Sequence, residues 1–159
     1  MRQIPILSAL CTLLLLCAAC GSSSTSPAAP TIVNFQGAWT GTWVRQSCSE
    51  TGGAVGVGCN NTPSSGALQL TVQQSASAAQ GTLQVGGLQA AVNGSVSETG
   101  TLSLAGTGHQ ANVTINVSGW ASTISGTSMN GTFTFVLIPD DPSGGSVTVR
   151  AALQGATRG

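Results

Sequence analysis

Few side chains in this sequence can titrate, attack or ligate. Cysteines aside, the set is Arg2, Arg45, Arg150, Arg158, Glu50, Glu98, Asp140, Asp141 and a single histidine, His109; Lys and Tyr are absent. A general base or a metal ligand would have to be His109. It stands in Gly106-Thr107-Gly108-His109-Gln110, which reads as an exposed turn. Asp140-Asp141 sit between Pro139 and Pro142. A calcium ion needs more oxygens than this pair supplies, so the pair reads as a solvated turn. Serines are frequent, yet no Ser, His and Asp stand at a triad spacing. No catalytic residue, metal site or cofactor is assigned, and the chain is read as a non-enzyme. Charged residues make up 5% of it and the formal net charge is zero, against a usual charged share of about 25%. With no basic patch there is no footprint for nucleic acid. The aromatic side chains remain. Trp39, Trp43, Trp120, Phe133 and Phe135 either line a hydrophobic pocket or fill a core.

The cysteines speak to address. Arg2 precedes an apolar run from Ile4 to Leu16, the length of a signal-peptide core and too short for a membrane span. The run ends in Cys17-Ala18-Ala19-Cys20-Gly21. Two small residues, a Cys and a Gly resemble the lipobox of bacterial lipoproteins. That resemblance implies cleavage of residues 1–19 and acylation of Cys20, with membrane lipid as the partner. Residues 20–33, rich in Ser, Pro and Ala, read as a tether with nothing to bury. Gly21 after the Cys implies, by resemblance to Gram-negative lipoproteins, sorting to the outer membrane of the cell envelope. With Cys20 lipidated, Cys48 and Cys59 are the pair left in an exported chain, and they read as a disulfide. A zinc site would lack ligands.

From residue 34 to 159 the pattern is period two. Short runs of alternating apolar and small polar residues are separated by Gly-containing turns, the mark of an all-β domain. The runs are Phe35–Arg45, Ala67–Gln74, Thr82–Val85, Leu88–Ser97, a fifth around Leu102 and Leu104, Ala111–Ser118, Thr127–Ile138 and Ser146–Gln154. Gly86-Gly87 is a two-residue hairpin turn. Gly37, Gly41, Gly94 and Gly131 fall inside strands, where glycine marks bends. Eight runs joined by short turns predict an eight-stranded up-and-down antiparallel barrel, with a two-sheet sandwich as the alternative. Trp120 is off the parity of Val113, Ile115 and Val117, which predicts an exposed residue near a barrel mouth. The longest connection, Gln46 to Ser65, is the expected place for recognition. A membrane-spanning barrel also alternates, but with its apolar residues turned to lipid, and these runs are mostly short for it.

The first run, with Gly37-Ala38-Trp39, resembles the opening strand of lipocalin-like and avidin-like barrels. In those families the Trp closes the narrow end of the barrel. In lipocalins an Arg near the last strand packs over it, and Arg150 is the candidate in the eighth run. The resemblance implies a shape and not a ligand. The expectation is therefore a lipid-anchored envelope lipoprotein whose barrel binds a small apolar ligand or an envelope protein. The alternative is a structural or adhesion module with a fully packed interior.

Overall fold

The computed structural model describes residues 31–141 and 144–159. Eight strands follow in chain order: β1 (Gly37–Thr51), β2 (Ser65–Ser75), β3 (Ala78–Val85), β4 (Leu88–Val96), β5 (Thr101–Gln110), β6 (Val113–Ser125), β7 (Ser128–Pro139) and β8 (Ser146–Arg158). Each pairs antiparallel with the next, and β1 pairs antiparallel with β8. The sheet is a closed up-and-down barrel, not a sandwich. A 3-10 turn (Gly52–Ala54) and a one-turn helix α1 (Gly58–Asn61) interrupt the link from β1 to β2.

Alternation produces this closure. The inward positions Leu68, Leu70 and Val72 of β2, Leu83 and Val85 of β3, and Val147, Val149, Ala151 and Leu153 of β8 are all buried. Their outward neighbours are polar and exposed; Gln69, Gln84 and Gln89 lie abreast across β2, β3 and β4. The strands run from 8 to 15 residues; β1, β2, β3, β6 and β8 exceed the runs predicted for them, while β4 and β7 do not. Strand length thus does not separate this barrel from a membrane barrel. The distribution of side chains does: the apolar face is inside and the polar face outside, the reverse of a lipid-facing wall.

The longer strands have local causes. Glycines let neighbouring backbones close in where a side chain would collide. A Cβ on Gly41 would lie 2.7 Å from the Ala156 Cα, at a register shift between β1 and β8. β5 continues through His109, so the predicted turn at 106–110 is strand. The chain reverses instead at Ala111-Asn112, both with positive φ. Gly86 and Gly87 also have positive φ, as a two-residue hairpin turn requires.

The barrel has two unlike ends. At one, residues 31–36 enter, the C-terminus leaves, and the turns β2–β3, β4–β5 and β6–β7 lie. At the other are the turns β3–β4, β5–β6 and β7–β8 and the longer segment 52–64. We call these the closed and the open end.

Candidate functional site

Trp39 and Trp43 both point inward from β1, four residues apart, and each is 2% exposed. Trp39 belongs to the closed end. Phe35, fully buried, plugs that end ahead of β1. Its carbonyl accepts a 2.8 Å hydrogen bond from Trp39 Nε1. Its own N–H donates to Gln74 Oε1 at 2.7 Å, and Gln74 Nε2 donates to the Val33 carbonyl at 2.9 Å. The Arg158 guanidinium lies 4.7 Å from the Trp39 ring centroid and donates to the Asn34 carbonyl at 2.6 Å. The Arg expected over this Trp is therefore Arg158, not Arg150. Arg150 is exposed and outward on β8, as its alternation with Val149 and Ala151 dictates. Arg158 reaches the ring because β8 continues past Gly155, whose positive φ marks an irregular step.

Between the ends the interior is filled with rings. Trp120 and Phe133 lie 4.9 Å apart, Phe133 stacks on Phe135 at 5.9 Å, and Phe135 meets Trp43 edge-on at 5.4 Å. These separations are the favourable ones for aromatic pairs. Trp120 is 2% exposed, which corrects the expectation of an exposed contact residue. A bulge at Gly119, with φ of +58°, shifts the β6–β7 register between Ser118 and Ala121 and reverses the parity. Trp120 Nε1 then donates to Ser122 Oγ at 2.8 Å inside the core.

Trp43 sits differently. Among the described residues its Nε1 is the buried side-chain nitrogen or oxygen without a hydrogen-bond partner. An unpaired buried donor costs about 1–3 kcal/mol. Trp43 pairs across the sheet with Gly66, and a Cβ on Gly66 would fall 2.8 Å from Nε1. The bare glycine leaves room for that nitrogen and offers it no acceptor. Here, at the open end, lies a recess of about 140 Å³ whose walls include Trp43, Phe135, Leu137, Val85, Leu88 and Pro63. Of the five aromatics singled out in the sequence, Trp43 and Phe135 reach this recess. Trp39 closes the other end, and Phe133 and Trp120 pack between.

Two broader depressions are less suited to a ligand. One of about 580 Å³ at the closed end borders Trp39, but the nitrogen and one face of that ring are engaged by Phe35 and Arg158. Another, of about 550 Å³, runs over amide side chains such as Gln73, Gln80 and Asn93 on the outer wall.

Over the recess stands the segment 52–64. It is shorter than the predicted loop from Gln46 to Ser65, because β1 runs on to Thr51. Cys48 and Cys59 are bonded, with Cα atoms 5.9 Å apart. The Glu50 carboxylate accepts N–H bonds from Cys59 and Gly56, and these bonds, Cys59 first, hold its pKa below the ordinary 4.5. Arg45 Nη1 donates to the Cys59 and Thr62 carbonyls at 2.7 and 3.0 Å. Thr62 Oγ1 donates to the Gly58 carbonyl at 2.8 Å. The segment is pinned from β1, and Val55 and Val57 project from it, 66% and 54% exposed. Sequence reasoning found the disulfide and missed Arg45 and Glu50. They stand on opposite parities of β1, and the register shift between Arg45 and Ser47 leaves no mark in the alternation.

His109 lies on the outer wall, its Nε2 2.9 Å from Asp140 Oδ2, with both side chains well exposed. This pair ties β5 to the start of the β7–β8 connection. Cys20 lies outside the described residues. The chain matches no family model, no curated protein and no solved structure.

Proposed function

We propose that this chain is a lipid-anchored, non-catalytic binding module of the bacterial envelope, which takes a small apolar ligand at the open mouth of its barrel. The observation that carries the reading is the recess itself. It is mostly apolar, with the Trp43 ring in its wall and Asn61 and Thr62 beside it, and a pinned segment holds its rim. A concave apolar site with a few placed polar groups is the usual form of a ligand site. The anchor rests on Cys17-Ala18-Ala19-Cys20-Gly21 and the Ser/Pro/Ala stretch after it. Residues 31–36 enter at the closed end, so along the chain that end lies nearer to Cys20 than the mouth does. Two or three acyl chains hold such a protein firmly, where one holds only marginally.

The ring packing favours a second reading, a rigid structural module acting through its neutral outer wall of Gln and Thr. One pair of measurements separates the two. Metabolic labelling with an alkyne fatty acid should mark the full chain in a bacterium with an outer membrane, and Cys20→Ala should abolish the label. Native mass spectrometry of the labelled protein, released from membrane, should then show an added mass lost on denaturation. An unlabelled chain removes the anchor. A bare mass, together with no response to added apolar probes, leaves the structural module.

A further inference from the structure

We propose that the outer wall formed by β2, β3 and β4 binds a neutral polysaccharide, whose hydroxyls pair with two rows of side-chain amides. The inference does not draw on the mouth and stands or falls apart from it. Between Glu50 and Glu98 the chain has no Asp, Glu, Lys or Arg, so all three strands are free of charge. A soluble surface is ordinarily about 25–35% charged. What replaces charge here is ordered. Gln69, Gln84 and Gln89 lie abreast on the three strands, and four residues along each strand Gln73, Gln80 and Asn93 lie abreast again. All six are exposed. Neighbours in a row are about 4.8 Å apart and the rows about 13 Å apart, with Thr71 and Thr82 paired between them. Strand propensity does not account for the amides, since it favours β-branched and aromatic residues.

The second row is also where the wall is hollow. Depressions of about 550 and 390 Å³ meet there and share Gln73, Gln80 and Asn93. Bare backbone helps to form them: a Cβ on Gly81 would fall 1.7 Å from the Thr71 carbonyl oxygen, and one on Gly94 1.8 Å from that of Ser103. So shallow a hollow does not enclose a small molecule; it suits a chain laid along it. Gln80 Nε2 donates to Gln73 Oε1 at 3.3 Å, and among the described residues the amides of Gln69, Gln84, Gln89 and Asn93 make no hydrogen bond.

Chemistry narrows the partner. A carboxamide sets an acceptor oxygen beside a two-proton donor. Neighbouring hydroxyls of a sugar ring each donate and accept, so one amide can bond two of them. A nucleic acid or an acidic glycan would find no cation on these strands. A protein partner is met by aromatic, Met and Arg anchors at the centre of the interface, and β2–β4 carry none. An uncharged polymer dense in hydroxyls is the complement of an uncharged wall dense in amides. With no ring to stack on, each contact is weak, and many copies on one surface add their contacts.

The test follows the side-chain NH₂ signals of the full chain in detergent micelles by ¹H–¹⁵N NMR. The probes are dextran, a mannan and a galactan, with alginate as the polyanion. At least one neutral polymer should shift Gln73, Gln80 and Asn93 saturably and leave the three indole signals in place, and alginate should shift none of them. Gln80→Ala with Asn93→Ala should weaken binding by about fivefold or more, the worth of one net hydrogen bond or better, with the backbone spectrum kept away from the two sites. Arg150→Gln, on β8 and four strands round the barrel from β4, should bind as the parent does. Silence of the wall toward all three neutral polymers overturns the inference, as does full binding by the double variant. Shifts of the indoles without the amides place the polymer elsewhere and overturn it. An alginate response equal to the neutral one removes the argument from charge and overturns it. Amide shifts that grow with protein concentration in the absence of polymer show a second copy pairing amide to amide, and overturn it too.

Discussion

Trp39 and Trp43 share a strand, a face and a degree of burial, and differ in everything around them. Trp39 is held by an acceptor at its nitrogen, a cation over its ring and a phenylalanine plug, all supplied by the two chain termini. Trp43 is held by core packing that includes an edge-on contact with Phe135, and its nitrogen is left without a partner. The contrast shows where the barrel is finished by its own residues and where it is not. At the closed end no buried side-chain donor among the described residues lacks a partner. At the open end stabilising bonds go to the rim, to segment 52–64, and not to the recess beneath it. A folded chain satisfies its buried polar groups almost everywhere, and departures from that rule gather at functional sites.

Substitutions can break that contrast. The largest effect belongs to Trp39→Ala, which removes the closing ring. It should cost about 3–5 kcal/mol in denaturant unfolding. A loss near 1 kcal/mol would mean that Phe35 and Arg158 close the end without it. Next comes the disulfide. Cys48 and Cys59 are 11 residues apart, and opening so short a loop should cost about 3 kcal/mol on chain-entropy grounds. In the Cys48→Ser, Cys59→Ser variant, hydrogen exchange should quicken at Gly56 and Cys59 and hold at Gly159. Equal quickening at both ends would show that the rim is no separate unit.

A smaller change gives a sharper comparison. Trp39→Phe strands the Phe35 carbonyl and should cost about 1–2 kcal/mol beyond the loss of ring volume. Trp43→Phe removes a donor that had no partner, so only the volume is lost. Trp39→Phe should therefore be the more destabilising by about 1 kcal/mol, read from paired denaturation curves. Equal losses would mean that the Trp43 nitrogen is satisfied in solution.

The smallest effect is electrostatic and local. The Glu50 carboxyl titrates below its ordinary 4.5 because Cys59 and Gly56 donate to it. A lowered pKa means that the stabilisation is complete above pH 4.5 and is lost as pH falls through the folded value. Relative to the intrinsic rate, which itself slows in acid, exchange at Gly56 and Cys59 should lose protection on acidification below 4.5. Glu50→Gln should show quick exchange already at neutral pH and no acid step.

Much of the fold was legible because burial writes itself in alternation. Runs such as Leu68, Leu70, Val72 and Val147, Val149, Ala151, Leu153 fixed eight strands and their inward faces. Where burial is silent, strands were cut short. Residues 46–51 are mostly polar and exposed, and they are strand only because β8 pairs with them. Gly106 and Gly108 looked like a turn, yet each sits against the backbone of β4. Bulges defeated parity outright: Gly119 turned Trp120 inward, and the step at Gly155 brought Arg158 to the ring expected for Arg150. The disulfide was legible from exported cysteines in an even pair. The recess was not, since it joins side chains from β1, β3 and β7 whose meeting depends on closure.

That closure also bears on how the molecule meets its surroundings. Most soluble proteins keep apart by charge, and their association depends on salt. This chain has four cationic and four acidic residues in 159, too few for a repulsive shell. A sheet with a free edge would invite strand-to-strand association under those conditions. Here the pairing of β1 with β8 leaves no free strand edge to extend. The chain's unfolding free energy should change little between dilute and physiological sodium chloride, where charge screening is the main effect of salt.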